Sequence, residues 1–170
     1  MTLVIRNMQR TVKLNIRQLR VDVGLLLKLC DLQSHDLGLL LVSDYKIRRL
    51  NSEYRQVNEV TDVLAFPCHE ISPENAGHLP DVEDEDKMLG DIVLGISYIH
   101  QQSKKHSEHF ESVLLTMVTH GICHLVGYDH DTRQQWEQMY KRELDILEKF
   151  NKQTGYKCSP LLGVGHYTET

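Results

Sequence analysis

Residues 119–130 read Thr-His-Gly-Ile-Cys-His-Leu-Val-Gly-Tyr-Asp-His, a run that contains three histidines. His120 and His124 are four residues apart, which on an α-helix places both imidazoles on one face, one turn from each other. Gly127 follows where a helix commonly ends in the left-handed conformation, and a chain that turns there can bring His130 back. Three neutral imidazoles and a water are the ligand set of a catalytic zinc site. The run therefore predicts a metal centre at the end of a helix.

The spacing His-x3-His-x2-Gly-x2-His resembles that of the metzincin proteases, with one difference. In those enzymes a glutamate follows the first histidine and serves as the general base of peptide hydrolysis. In this chain the same position is Gly121, so the ligand pattern is present and the protease base is missing. A metzincin-like metallopeptidase stays as an alternative function, and so do histidines with purely structural roles.

Two further blocks precede the histidine run. They are Leu50-Asn51-x-x-Tyr54-Arg55 followed by Thr61-Asp62-Val63-Leu64-Ala65-Phe66-Pro67, and Leu89-Gly90-Asp91-Ile92. The third block is His120-Gly121-x-x-His124-Leu125-x-Gly127-Tyr128-Asp129-His130. In this order the three blocks resemble the YbeY family, metal-dependent single-strand endoribonucleases linked to ribosomal RNA maturation and ribosome quality control. The resemblance covers residues from about 38 to 150.

The resemblance to this family implies a fold, a site and a substrate. The implied fold is a single sheet of about four strands packed with helices, with the metal in a cleft at the end of a central helix. The implied site holds one Zn²⁺ ion on His120, His124 and His130, and Arg55 joins these three as a catalytic residue. The implied partners are single-stranded RNA, above all ribosomal RNA, and small ribosomal subunit proteins, with no DNA and no membrane.

A zinc ion with three imidazole ligands has a clear use in RNA cleavage. Its bound water can reach a pKa of about 7, and the ion can polarise a phosphoryl oxygen. The transition state gathers charge on the phosphate oxygens, where a guanidinium is the natural donor. Arg55 takes this role only through the family match, because an arginine after a helix is otherwise a surface residue. The attacking group stays open between the metal-bound water and the 2′-hydroxyl of the RNA.

Other assignments around the site stay open. Asp129 either orients a ligand imidazole or serves a tight turn, and Asp91 and Thr61-Asp62 are equally well explained as turn and cap residues. Cys123 is expected to be a buried thiol and not a ligand. All-imidazole sites also bind nickel, copper or iron. A non-enzymatic, ribosome-associated protein with structural zinc is the remaining alternative, and a fourth protein ligand would favour it.

The composition is that of an ordinary globular protein of one domain. The chain has 170 residues, of which 41% are hydrophobic and 25% charged, and a net charge of −5. This charge argues against a strongly basic protein that wraps nucleic acid, although a local patch can still bind RNA. No apolar run approaches the roughly 20 residues of a membrane span. The cysteines have no C-x-x-C spacing and are expected to be free thiols: Cys30, Cys68, Cys123 and Cys158.

The first 21 residues are basic and contain no acidic residue. The basic residues are Arg6, Arg10, Lys13, Arg17 and Arg20. This bias is typical of a mitochondrial targeting segment, but the same residues also have the pattern of a strand and a helix in a folded domain. A mitochondrial location is therefore one expectation and a cytoplasmic or nuclear one the alternative, whereas no secretory signal is recognised.

Hydrophobic periodicity predicts strands that alternate with helices. Strands are predicted at 3–7, with a second piece at 11–14, and at 38–42, 63–66 and 90–96. Helices are predicted after Asn15, after Ser43 or Asp44, from Ser97 to about 105, through the histidine run, and from the capping box of Thr132 and Gln135 to about Phe150. The inward side chains include Ile47, Leu50 and Tyr54, and later Trp136, Tyr140, Leu144 and Leu147. The fold class is α/β or α+β, with one small mixed sheet and helices against it.

One domain is expected at residues 1–150, with a tail at 151–170. Residues 68–88 are rich in acidic side chains and have no lysine or arginine before Lys87. A long acidic loop of this kind is uncommon in a compact domain. It is either a solvated insertion between two strands or a loop that binds a partner.

Overall fold

The computed structural model describes residues 2–81, 83 and 87–161. The strands are β1 Leu3–Asn7, β2 Asp36–Val42, β3 Val63–Pro67 and β4 Met88–Gly95. The α-helices are α1 Ile16–Leu29, α2 Asp44–Arg55, α3 Ile96–Lys105, α4 Phe110–Leu125 and α5 Arg133–Thr154, and Pro73–Asn75 form a 3₁₀ turn. None of these helices has both the length and the apolar character needed to cross a membrane.

The strands form one mixed sheet in the order β1-β2-β4-β3. β1, β2 and β4 run parallel, and β3 pairs with β4 antiparallel at the edge. The central place of β2 and β4 follows from their sequences, because strands covered on both faces are continuously apolar. Leu39 pairs with Ile92 in the middle of the sheet, and both side chains are fully buried. The predicted small mixed sheet with helices against it is confirmed.

Helices cover both faces of this sheet. On β4, Ile92 and Leu94 face the main core under α1, α4 and α5, whereas Val93 joins Ile47 of α2 on the other face. α4 is buried on nearly all sides because it lies on β3 and β4 with α1, α3 and α5 around it. The histidine run therefore lies at the end of the central helix.

α4 lies close to the sheet at Gly121. A Cβ atom on this residue would lie 2.9 Å from both Cδ1 and Cγ2 of Ile92, closer than carbon atoms normally pack. Only glycine therefore allows the helix to lie at its observed distance from β4.

Two predicted details beside the strands are wrong. Residues 11–14 form no strand, because the buried side chain of Gln9 holds a turn by bonding both backbone groups of Val12 at 2.8 and 2.9 Å. Ser97 does not cap α3, since the helix starts at Ile96, directly after β4, with Gly95 in the capping position.

Of the side chains predicted to point inwards, one is exposed and three are only half-buried. Tyr54, in the last turn of α2, is 58% exposed. The half-buried side chains are Leu50, Tyr140 and Leu144. The buried face of α5 consists of Trp136, Met139, Glu143, Ile146, Leu147 and Phe150, and the capping box of Thr132 and Gln135 is present as predicted.

The closing helix ends at Thr154 and not at about Phe150. The chain that follows is anchored, because the Asn151 side chain bonds both backbone groups of Cys158 at 2.8 and 2.9 Å, and Cys158 is buried. Part of the predicted tail thus packs against the helices, and residues 162–170 lie outside the described residues.

The close contact at Gly121 predicts a difference between two glycine substitutions. Alanine favours a helix over glycine by about 1 kcal/mol, and Gly24 of α1 has no atom within 4 Å of an added Cβ. Gly24→Ala should therefore raise the free energy of unfolding. Gly121→Ala gains the same helix preference but collides with Ile92, so it should be about 1–3 kcal/mol less stable than Gly24→Ala. Urea unfolding of both variants measures this difference, and equal stabilities would contradict the packing described.

Candidate metal centre

The end of α4 is shaped by two backbone hydrogen bonds that turn the chain. Tyr128 N–H donates to the carbonyl of Cys123 at 3.0 Å, and Gly127 N–H donates to the carbonyl of His124 at 3.1 Å. Gly127 has φ +99°, and an added Cβ would lie 2.6 Å from Ile71 Cγ2. The predicted turn glycine is confirmed, because both the left-handed backbone and the contact with the loop after β3 require it.

The turn brings the three predicted histidines together. One ring nitrogen from each of His120, His124 and His130 lies within 4.8 Å of the other two. The Nε2 atoms of His120 and His124 are 3.0 Å apart. His120 is buried, and the other two rings are half-buried at the edge of a cleft. Among residues 2–81, 83 and 87–161, no fourth histidine, cysteine or carboxylate joins this group.

The Nδ1 atoms of two histidine rings each lie within hydrogen-bond distance of an acceptor. His124 Nδ1 lies 3.0 Å from the carbonyl oxygen of Tyr128, which can only accept, so Nδ1 carries the proton. His120 Nδ1 lies 3.0 Å from Glu143 Oε1, which accepts a hydrogen bond from it in the same way when the carboxylate is ionised. With both Nδ1 atoms protonated, each ring keeps an unprotonated Nε2, and these two atoms lie 3.0 Å apart, where one cation could bind both.

The donor set fits a divalent metal ion. Tetrahedral zinc with bonds of about 2.0–2.1 Å separates its ligand nitrogens by roughly 3.4 Å, close to the spacing of the two rings. Glu143 Oε2 is buried and has no hydrogen-bond partner among the described residues. A nearby cation would balance the charge of this carboxylate, which otherwise lies in a low-dielectric interior. The three histidines can therefore hold a metal ion.

Burial moves the pKa values of this cluster. It lowers the pKa of His120 and of His124 to about 4, with the neighbouring histidines adding to the effect. Burial also raises the pKa of Glu143 to about 8, and a cation held by the histidines would lower it again and leave the carboxylate ionised at pH 7. Both imidazoles are thus neutral at pH 7, which is the form that binds a metal.

The histidines open into a cleft of about 1200 Å³. Its other walls include the end of α2, strand β3 and residues 69–73 of the acidic loop. Arg55 lines the cleft at the end of α2, and its guanidinium makes no hydrogen bond or ion pair with a described residue. The structure therefore brings all four predicted site residues to one cavity, with Arg55 exposed and available to a ligand.

Known proteins are similar to this chain in sequence over most of its length. The family model "Endoribonuclease YbeY" matches residues 4–151. A human protein named Endoribonuclease YbeY is 39% identical over 95% of both chains, and one from Clostridioides difficile strain 630 is 38% identical over 69% of this chain and 73% of its own. The chain belongs to the YbeY family. The solution structure of TM1509 from Thermotoga maritima supports the fold, with a TM-score of 0.53, 21% identity, and coverage of 95% of this chain and 100% of its own.

Glu143 is the site residue that the YbeY motif blocks did not reveal. It is fully buried on α5, twenty-three positions after His120 along the chain. A signal existed in the sequence: Glu143 occupies an interior position in the helical repeat of Trp136, Met139, Ile146 and Phe150. A carboxylate on the apolar face of a helix is rarely left unpaired, so it indicates a buried partner.

The YbeY motif residues beside the ligands have roles in local structure. Asp129 Oδ1 accepts from the backbone N–H of His130 at 2.8 Å, and Asp62 Oδ1 accepts from that of Val63 at 2.7 Å, so both serve turns. Asp91 is exposed on β4. Cys123 is a buried free thiol, as expected, and burial raises its pKa well above the usual value. The other three cysteines are free as well.

Glu143 should control how tightly the site binds metal. Glu143→Gln keeps the volume and one acceptor but removes the negative charge behind His120, so the affinity for Zn²⁺ should fall about 10- to 100-fold. Competition with a fluorescent chelator measures this, with His124→Ala as the variant expected to lose the site. The matched control is Glu148→Gln, an exposed position on the same helix. Equal affinity in the wild type and Glu143→Gln would refute the role of Glu143.

Proposed function

We propose that this protein is a zinc-dependent endoribonuclease that cleaves single-stranded RNA. The observation that carries the proposal is the convergence of one ring nitrogen each from His120, His124 and His130 on the wall of an open cleft. The relatives at 38–39% identity carry the name Endoribonuclease YbeY, which supports the same activity. Zinc is proposed because three imidazoles with room for a further ligand suit it, and the three-member ligand group speaks for a catalytic and not a structural ion.

Different residues of this chain would have different roles in such a reaction. His120, His124 and His130 would hold the ion, while Glu143 and the Tyr128 carbonyl fix two of the rings. A bound divalent ion supplies Lewis-acid chemistry, which polarises a phosphoryl oxygen and makes a coordinated water more acidic. Arg55 would donate hydrogen bonds to the non-bridging oxygens of the phosphate, where the transition state gathers charge.

A peptidase mechanism lacks its general base for a steric reason. The Cβ position of Gly121 faces Ile92 of β4 at 2.9 Å, so a glutamate at this position would collide with the sheet. The two nucleophiles of RNA cleavage remain to be distinguished. An RNA with one 2′-deoxy residue at the cleaved position separates them, because attack by the 2′-hydroxyl requires this group and attack by water does not.

We further propose ribosomal RNA as the substrate and small ribosomal subunit proteins as partners, on the basis of the family. The net charge of −5 fits a protein that meets RNA at one local surface better than one that wraps it. A mitochondrial location is also a proposal. Arg6 belongs to β1, and Arg17 and Arg20 belong to α1, so the basic residues also have places in the fold. Fluorescence imaging of cells that express residues 1–21 fused to a fluorescent protein tests the location.

The nuclease proposal predicts three matched results with purified protein and single-stranded RNA. A chelator should abolish cleavage and added Zn²⁺ should restore it. His124→Ala should be inactive, because it removes a ligand. Arg55→Ala should lower kcat about 100-fold or more, because one preorganised donor to the developing charge is lost. Arg49→Ala is the control, since Arg49 is exposed on the same helix and does not line the cleft. Cleavage that survives both the chelator and His124→Ala would overturn the proposal.

A further inference from the structure

Tyr54 is a large aromatic side chain that the fold leaves in solvent. It is 58% exposed although the periodicity of α2 points it inwards. It lines the cleft together with Arg55 and the three histidines. Its exposed face is an apolar surface that a ligand in the cleft could cover, with a favourable gain from burial.

The Tyr54 ring is held in place without being covered. It contacts Phe66 of β3 edge to face, with centroids 5.1 Å apart and an angle of 71° between the rings. Phe66 is half-buried on the small core cluster under α2, so the contact anchors Tyr54 to the sheet. A ring supported in this way has little conformational freedom to lose when a ligand stacks on it.

The residue next to Tyr54 indicates which chemical class of ligand fits the cleft. Arg55 follows directly in the last turn of α2, and both side chains line the same cleft. A flat apolar ring next to an exposed guanidinium matches a nucleotide, which joins a base with a π face to an anionic phosphate. A base can stack on a protein ring only when it is not already stacked and paired in a duplex.

We infer that Tyr54 is the stacking position for one base of the RNA, next to the phosphate that Arg55 contacts. This inference rests on the proposed nuclease function and deepens it. It makes Tyr54 a residue that selects single-stranded over double-stranded RNA, whereas the metal site acts on the phosphate of either. Because every base has a π face, the position selects strandedness and not sequence.

Binding of RNA that cannot be cleaved tests this position apart from catalysis. The probe is a short oligoribonucleotide with 2′-O-methyl groups, compared with the same strand in a duplex, and fluorescence anisotropy reports the affinity. Tyr54→Ala should weaken binding of the single strand about 10-fold, because one base loses its stacking partner. Tyr54→Phe keeps the ring and should bind within about 2-fold of the wild type. Duplex binding should be the same in all variants.

Tyr45→Ala is the matched control, because Tyr45 is 74% exposed on the same helix and does not line the cleft. It should bind single strands like the wild type. The inference is overturned if Tyr54→Ala also binds like the wild type, if Tyr54→Phe loses as much as Tyr54→Ala, or if duplex binding falls equally. The cleavage assay tests the nuclease function independently of these binding results. If the wild type does not cleave RNA but Tyr54→Ala still weakens binding of the single strand alone, the nuclease proposal is refuted and the stacking role of Tyr54 is kept.

Discussion

The site depends on two hydrogen bonds that face away from it. Glu143 and the Tyr128 carbonyl hold the Nδ1 atoms of His120 and His124, and this alone directs both Nε2 atoms to a common point. An imidazole without such a partner could rotate or change its tautomer and present a proton instead of a lone pair. The orientation of the ligands is therefore decided in the buried layer behind them.

The helix that carries His120 and His124, α4, is deeply buried because other elements pack on both sides of it. α4 lies between the sheet and α5, so Glu143 can reach His120 from one side while Gly121 allows close contact with β4 on the other. A buried carboxylate with one unpaired oxygen is unfavourable for stability on its own. A cation held by the histidines would compensate for the burial of this carboxylate.

The front of the site is built by different elements from the back. The antiparallel edge strand β3, the last turn of α2 and the loop after β3 form the open walls of the cleft. Of the acidic loop, Ile71 packs on Gly127, and Gly77 N–H donates to the Val126 carbonyl at 2.9 Å. Its described part is thus tied to the end of α4 and is more than a solvated insertion. A rigid back and an accessible front are what a site for a long, flexible polymer needs.

The sequence by itself determined the candidate ligand set, the turn at Gly127 and most of the strands and helices, because these depend on neighbours within a few residues. A spacing of four residues on a helix and a left-handed glycine are features of local geometry. The alternation along β4 that places Ile92 and Val93 on opposite faces of the sheet is local as well. The resemblance of the motif blocks to the YbeY family added the cleft and Arg55 to these predictions.

Only the tertiary structure decided which long-range partners complete the site. Glu143 meets His120 because α5 packs on α4 at one angle and register, and no local pattern encodes that angle. Tyr54 is exposed because it meets the cluster under α2 only at its edge, on the half-buried Phe66, which periodicity alone cannot show. The chemistry of the ligands was local, whereas their orientation and the surface offered to a substrate arise from how separate elements meet.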